Sequence, residues 1–334
     1  MPFSAIAGHR PVLGLLARAV EQHTLPPSLV FSGPEGVGKR LTAVALAQAL
    51  NCARAADGDA CGTCASCTRI ARGVHADVLV IEPGDSGTIK VDQVRDAIDR
   101  AAYRPFEGRR RVVIVEDADA LLSEAQNALL KTLEEPPPAS VFVLVTPRPD
   151  LLLPTVRSRC QHLRFGPLSA ADVAAVLVRD HGFAAADARA AAAASGGSVG
   201  RALDEGAEEA LEARAAAARL LQTASTGGGS IDPSSVRRRL DAAKAFVGNS
   251  AERDELARRL LAMSSLLRDL GLLGTHADAG ALANADLEPQ LTALLRHYDA
   301  DRTLEAFAVV DRALEALDKN ASPKIVADWV ALHV

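Results

Sequence analysis

The stretch GPEGVGKR, residues 33–40, decides the fold. An apolar run, PSLVFS, leads into it and a helical pattern leaves it, so the order is strand, glycine turn, helix. In that context the backbone N–H groups of the turn converge on phosphate oxygens, and the helix N-terminus adds a positive field. Gly33, Gly38 and Lys39 fit the spacing G-x-x-x-x-G-K, Gly36 lies between them, and Lys39 has the length to reach terminal phosphates. A serine or threonine hydroxyl should come next to hold magnesium, yet the residue is Arg40. Arginine offers no oxygen and brings a positive charge. Thr42 lies two residues on, about 200° around the helix, and cannot take its place.

A second departure lies in VVIVEDADAL, residues 112–121, an apolar strand ending in Glu116 and Asp117. A hydrolysing P-loop site wants an aspartate at the strand end for the metal shell and a glutamate beside it to polarise water. Here the order is reversed. Both departures point to a site that keeps the phosphate cradle and loses the metal chemistry, with ATP or ADP bound weakly or not at all.

The alternation of strand and helix patterns continues through ADVLVIEP, RRVVIVEDAD and SVFVLVTP up to about residue 165, which implies βαβ units and a mostly parallel sheet covered on both faces. After FGPLS, residues 165–169, only helical patterns remain, with Ser169 as the expected N-cap of the first. The alanine run 184–194 favours helix because alanine loses no side-chain entropy there. Further breaks fall at GGSVGRAL (196–203) and TASTGGGSIDPSS (223–235), the latter read as a flexible loop between helices. From Val236 onward leucines recur at helical spacing, as an antiparallel helical bundle requires.

Composition bounds the rest. A chain of 334 residues is long enough for two or three domains, and with 49% hydrophobic but only 3% aromatic residues the cores must be built from Ala, Leu and Val. The net charge of −5 argues against a surface that coats nucleic acid by itself. The basic clusters Arg109–Arg111 and Arg237–Arg239 read as the start of a strand and a solvated helix face. No run approaches the ~18 apolar residues of a membrane span, and the first thirty residues do not have the pattern of a secretion signal, so a cytoplasmic location is expected.

Cys52, Cys61, Cys64 and Cys67 form a C-x8-C-x2-C-x2-C cluster. In a reducing compartment four thiolates within sixteen positions suit a closed tetrahedral zinc site, structural because no open position is left; reduced, unliganded cysteines are the alternative. Cys160 has no partner and reads as a small buried hydrophobe.

With HADVLVIEP, IKVDQVRDAI, NALLKTLEEPPP and LLLPTVRSRCQ taken together, the chain resembles the bacterial clamp-loader AAA+ family, and within it the delta-prime subunits of DNA polymerase III. The likeness runs nearly end to end through the first domain, continues through GGSVGRAL, and thins to helical pattern plus NASPK (320–324). It implies an AAA+ P-loop domain over 1–167 with a zinc insertion at about 52–67, a helical lid over 168–208 and a helical collar for oligomerisation over 209–334. It also implies a subunit of a pentamer that loads the sliding clamp (beta) onto primed DNA, with gamma/tau and delta subunits as neighbours and the single-stranded-DNA-binding protein met indirectly.

In such assemblies ATP sits at subunit boundaries, and the arginine of SRC, here Arg159, is offered in trans to a neighbour's nucleotide. A permanently charged, planar guanidinium suits that task; capping a helix or pairing with a carboxylate is the bland role for Arg159. Thr146 matches the sensor-1 position and Arg201 the sensor-2 position, each with a packing or capping role as the alternative. The resemblance implies a subunit of the polymerase III holoenzyme that is itself neither polymerase nor active ATPase. A gamma/tau-type ATPase motor is the competing expectation. A free-standing zinc-containing nucleic-acid binder is a third, disfavoured by the acidic balance and the scarcity of aromatic stacking platforms.

Overall fold

The computed structural model describes residues 1–204, 207–225, 233–247, 253–275 and 282–334. They form two compact units, Met1–Gly166 and Pro167–Val334.

The first unit is built on five parallel strands, β1 (Ser28–Ser32), β2 (Val78–Ile81), β3 (Arg111–Val115), β4 (Ser140–Thr146) and β5 (Gln161–Arg164), in the spatial order β2-β3-β4-β1-β5. Every residue of β1, β3 and β4 is buried, because parallel strands covered on both faces have no solvent side. That is why they read as unbroken apolar runs.

One face carries α1 (Arg10–Glu21) and α2 (Lys39–Asn51), with Leu29, Phe31, Val112, Ile114, Val141 and Val143 packing against Leu13, Leu16 and Leu46. The short α3 (Ala65–Ala71) packs on this first face through Cys67 and Ile70, and the other face carries α4 (Val91–Ala102) and α5 (Ser123–Glu134) and takes Val30, Val113, Phe142 and Leu144. The short α6 (Pro154–Arg157) leads into β5. This fifth strand was not expected from the sequence: at the sheet edge only Leu163 of QHLR is buried, so it carries no apolar signature.

The second unit is helical throughout its described residues. Ser169 caps α7 (Ala170–His181) as expected, its Oγ accepting the Asp172 N–H at 3.1 Å. The alanine run forms α8 (Ala185–Ala194), and α9 (Val199–Asp204) follows; Leu168, Val173, Leu177, Ala188, Ala191 and Ala192 make their core. A larger core joins α10 (Ala207–Ser225), α11 (Pro233–Val247), α12 (Arg253–Gly274), α13 (Glu288–Leu294), α14 (Ala300–Asp318) and α15 (Pro323–His333), with Phe246, Leu260, Met263, Leu267, Tyr298 and Val330 buried within it. Of the stretch 223–235 read as a loop, residues 226–232 lie outside the described residues. Its two ends are helical: Ser225 closes α10 and Pro233 opens α11, where a proline loses no hydrogen bond.

Candidate nucleotide and metal sites

Parallel strands bring their carboxyl ends to one edge, and in the first unit that edge collects the phosphate loop after β1, Glu116 after β3 and Thr146 at the end of β4. Gly33 has φ of 144°, and a Cβ there would lie 2.0 Å from the carbonyl oxygen of Phe165, so only glycine lets the loop leave β1 so close to the chain after β5. Gly36 and Gly38 also take positive φ, 68° and 100°. His9 braces the loop from outside, its Nε2 2.8 Å from the Val37 carbonyl and its ring edge-on to Phe165.

Lys39 is buried, and its Nζ donates to the carbonyls of Gly33 at 2.7 Å and Pro34 at 2.6 Å. Burial pulls its pKa below the usual lysine value, against the pull of Glu35, Asp117 and Asp119. Arg40 points to the strand-end acids. Its Nε lies 2.7 Å from Glu116 Oε1 and its Nη2 donates to Glu82 Oε1 at 3.0 Å. The approach to Glu116 is an ion pair and not an aligned hydrogen bond, since Oε1 has no hydrogen-bond partner. Burial pushes the Glu116 carboxyl up to about 7; Arg40 opposes that rise, and Glu82 and Asp117 add to it.

Asp117 is exposed, in the left-handed region at φ 45°. The Thr42 hydroxyl donates to the Gly38 carbonyl at 3.0 Å, so it offers no substitute ligand. A magnesium shell does not fit these residues: the expected hydroxyl is a guanidinium, and the strand-end carboxylate already faces that cation.

Thr146 is fully buried, donating its hydroxyl proton to Asp119 Oδ1 at 2.8 Å and accepting the Arg148 N–H at 3.0 Å. Arg148 closes the network on Asp119 Oδ2 through Nε and Nη2, at 3.0 and 2.8 Å. Arg201 belongs to the second unit, in α9, where its backbone N–H donates to Ser198 Oγ at 3.1 Å.

Arg159 sits just beyond α6. Its Nη2 and Nε donate to Glu134 Oε2 at 3.2 and 3.4 Å and its Nη1 to the Thr155 carbonyl at 3.0 Å, with the two side chains 33% and 61% exposed. The guanidinium of SRC is thus held at the surface by the second-last acid of TLEE.

The sulfurs of Cys52, Cys61, Cys64 and Cys67 all lie within 4.8 Å of one another, against about 3.8 Å between ligand sulfurs around a tetrahedral zinc with ~2.3 Å bonds. Backbone N–H groups already point at them: Cys61 N to Cys52 Sγ at 3.2 Å, Cys64 N to Cys61 Sγ at 3.3 Å and Cys67 N to Cys64 Sγ at 3.5 Å. The amides of Thr63 and Cys64 bring the Cys61 thiol down to about 5, whereas burial raises that of Cys67. The donor set fits a tetrahedral thiophilic cation. Cys160 is half-buried among apolar neighbours, and burial raises its thiol to about 11.

Sequence reasoning missed Glu82, Asp119 and the role of Glu134. Glu82 had a signal: it directly follows β2, whose last residue Ile81 pairs with Val115 of β3, so it had to lie beside Glu116. It also missed Asp77, wholly buried, which accepts from the N–H groups of Phe106, Glu107 and Gly108 at 2.6–2.8 Å and from Arg111 Nη2 at 2.8 Å. Asn51 Oδ1 likewise holds the Arg109 and Arg110 N–H groups, so the basic cluster serves the start of β3 as expected.

Strand order, glycine loop and strand-end acids define the first unit as a P-loop α/β domain of the AAA+ class. The family model described as "DNA polymerase III, delta subunit" matches residues 8–169. Over that region, just under half of the chain, the sequence resembles the delta-prime and gamma/tau subunits of DNA polymerase III.

Among curated relatives, the gamma/tau subunit of Mycobacterium tuberculosis (strain H37Rv) is 37% identical over 177 residues, 53% of this chain and 31% of that one. The delta-prime subunit of Pseudomonas aeruginosa is 45% identical over 129 residues, 38% of this chain and 39% of that one. The chain therefore spans roughly a third of the length of these relatives. Among solved structures, a DNA polymerase III gamma subunit-related protein of Thermotoga maritima is 20% identical over 96% of this chain and 97% of that one, with a TM-score of 0.36. The Holliday junction branch migration motor RuvB of the same organism is 16% identical over 86% and 88%, at 0.42. No described helix is long and apolar enough to cross a membrane.

Proposed function

We propose that this chain is the delta-prime-type subunit of a DNA polymerase III clamp loader, silent as an ATPase in its own pocket and lending Arg159 to nucleotide bound by a neighbouring subunit. The observation that carries the reading is the Arg40–Glu116 ion pair at 2.7 Å, a protein cation set where hydrolysis needs a metal. The surface position of Arg159, on an exposed carboxylate partner, is what a donated guanidinium requires. On this reading the second unit divides into a lid over 168–208 and a collar over 209–334, Thr146 and Arg201 are relics of sensor positions, and Cys52, Cys61, Cys64 and Cys67 hold a structural zinc. The partners are gamma/tau and delta subunits, and through the complex the sliding clamp, primed DNA and, indirectly, the single-stranded-DNA-binding protein, all in the cytoplasm.

A gamma/tau-type motor is the competing reading, and the longer stretch matched in gamma/tau chains favours it. One assay separates the two. The isolated chain is expected to show negligible ATP hydrolysis with magnesium; turnover at a motor-like rate that Lys39→Ala abolishes would establish the motor and end the delta-prime reading.

A further inference from the structure

The phosphate loop retains its glycines and its lysine but presents a guanidinium at the position of the metal-holding hydroxyl, and that guanidinium is engaged. Nε faces Glu116 Oε1 at 2.7 Å and Nη2 bonds Glu82 Oε1 at 3.0 Å, while Nη1 makes no hydrogen bond among the described residues. The Arg40 side chain is 64% exposed, so it is placed by these two acids and not by packing. The acids come from adjacent strands, β2 and β3, whose parallel pairing fixes them side by side at the mouth of the loop. A divalent ion in a P-loop site neutralises the strand-end carboxylate and sets a positive charge against the phosphates. Arg40 does the first with two nitrogens and has a third left for the second, as a forked cation can and an ammonium cannot.

We infer that Arg40 is a resident replacement for magnesium: the loop binds the phosphates of a nucleoside di- or triphosphate without any divalent ion, and Arg40 excludes the ion. The inference deepens the reading of a hydrolytically silent pocket, on which it rests, by giving that pocket a ligand class and a metal-free mode of binding. The strand-end carboxylate that would face the metal is then taken, since Glu116 is engaged by the guanidinium.

The experiment is a titration of the full chain with ADP and with ATP, in excess magnesium and in EDTA. The two wild-type affinities are expected to agree within about threefold. Arg40→Thr restores the hydroxyl, leaves the buried Glu116 carboxylate without its cation, and is expected to bind at least about tenfold tighter with magnesium than with EDTA. Arg40→Lys keeps a charge but not the fork, and should bind more weakly than wild type in both conditions; wild-type affinity in this variant overturns the inference. Wild-type binding that requires magnesium overturns the inference, as does no binding in either condition. A folded Arg40→Thr that stays indifferent to magnesium overturns it too. The wild-type comparison needs no variant, so a misfolded substitution cannot rescue the idea. The donor role of Arg159, read in the assembled complex, would survive any of these failures.

Discussion

Glu134→Gln separates a parked arginine from a structural one. Arg159 donates to Glu134 Oε2 at 3.2 and 3.4 Å, long for charge-assisted bonds, and the carboxylate side chain is 61% exposed. Exposed pairs of this kind contribute about 0.2–1 kcal/mol. In a unit of 166 residues 1 kcal/mol moves Tm by about 2–4 °C, so the isolated Glu134→Gln protein should melt within that interval of wild type in differential scanning calorimetry.

Arg159→Ala also loses the bond to the Thr155 carbonyl, about 1 kcal/mol more, and should still fold. In the reconstituted clamp loader the two variants are expected to diverge. An arginine finger accelerates hydrolysis by about 10³–10⁵ at the site it serves, so Arg159→Ala should silence one nucleotide site and lower the clamp-stimulated rate, while Glu134→Gln leaves it at or above wild type. A melting loss well beyond the stated interval for Glu134→Gln, or an unchanged ATPase for Arg159→Ala in an intact complex, would refute the reasoning.

Asp77→Asn should destabilise the first unit by about 3–5 kcal/mol in urea titration, because it strands the buried Arg111 guanidinium. Burial alone would raise the Asp77 pKa, but three backbone N–H groups and Arg111 outweigh it and hold the carboxyl low. The stability it contributes is therefore complete above its unfolded value of about 3.9 and lost below that, so the gap between wild type and Asp77→Asn should narrow as pH falls through 4. Metal analysis should find one zinc per chain, and Cys61→Ser should release it and lower the melting temperature of the first unit; a metal-free protein purified without chelators would remove the zinc assignment. Gly33→Ala should cost more than about 3 kcal/mol or abolish folding, since its Cβ meets backbone at 2.0 Å; near-wild-type stability would show that the loop leaves β1 by another path.

What could be read in advance was local or doubly buried. β1, β3 and β4 have no solvent face, so their apolar runs are unbroken; QHLR, with Leu163 alone buried, has no pattern to read. The four cysteines are legible because a metal cage can be written within sixteen positions. Long-range polar pairs are not: Asp119 with Thr146, Arg159 with Glu134 and Arg111 with Asp77 join residues 25 to 34 positions apart, and no periodicity in the chain encodes them. Arg40 falls between the two. Its misfit to the phosphate-loop pattern was visible in the sequence, but that Glu82 and Glu116 would receive it depended on the register of β2 with β3.

If the pocket has lost metal chemistry, as proposed, the same contacts explain why it keeps a phosphate loop. Gly33 cannot be replaced while β5 runs where it does, because the constraint is the Phe165 carbonyl and not a nucleotide. Val37 is tied by its carbonyl to His9, and His9 packs on that same Phe165. Lys39 donates to the Gly33 and Pro34 carbonyls, so its buried ammonium has hydrogen-bond partners without a phosphate. Gly33, Val37 and Lys39 thus each have a second, structural reason to persist. The hydroxyl that follows Lys39 in a hydrolysing site serves the metal alone, and at Arg40 the exposed side chain is under no packing constraint. Loss of hydrolysis would therefore be expected to erase that position first and leave the glycines and the lysine standing, and the sequence GPEGVGKR has that form.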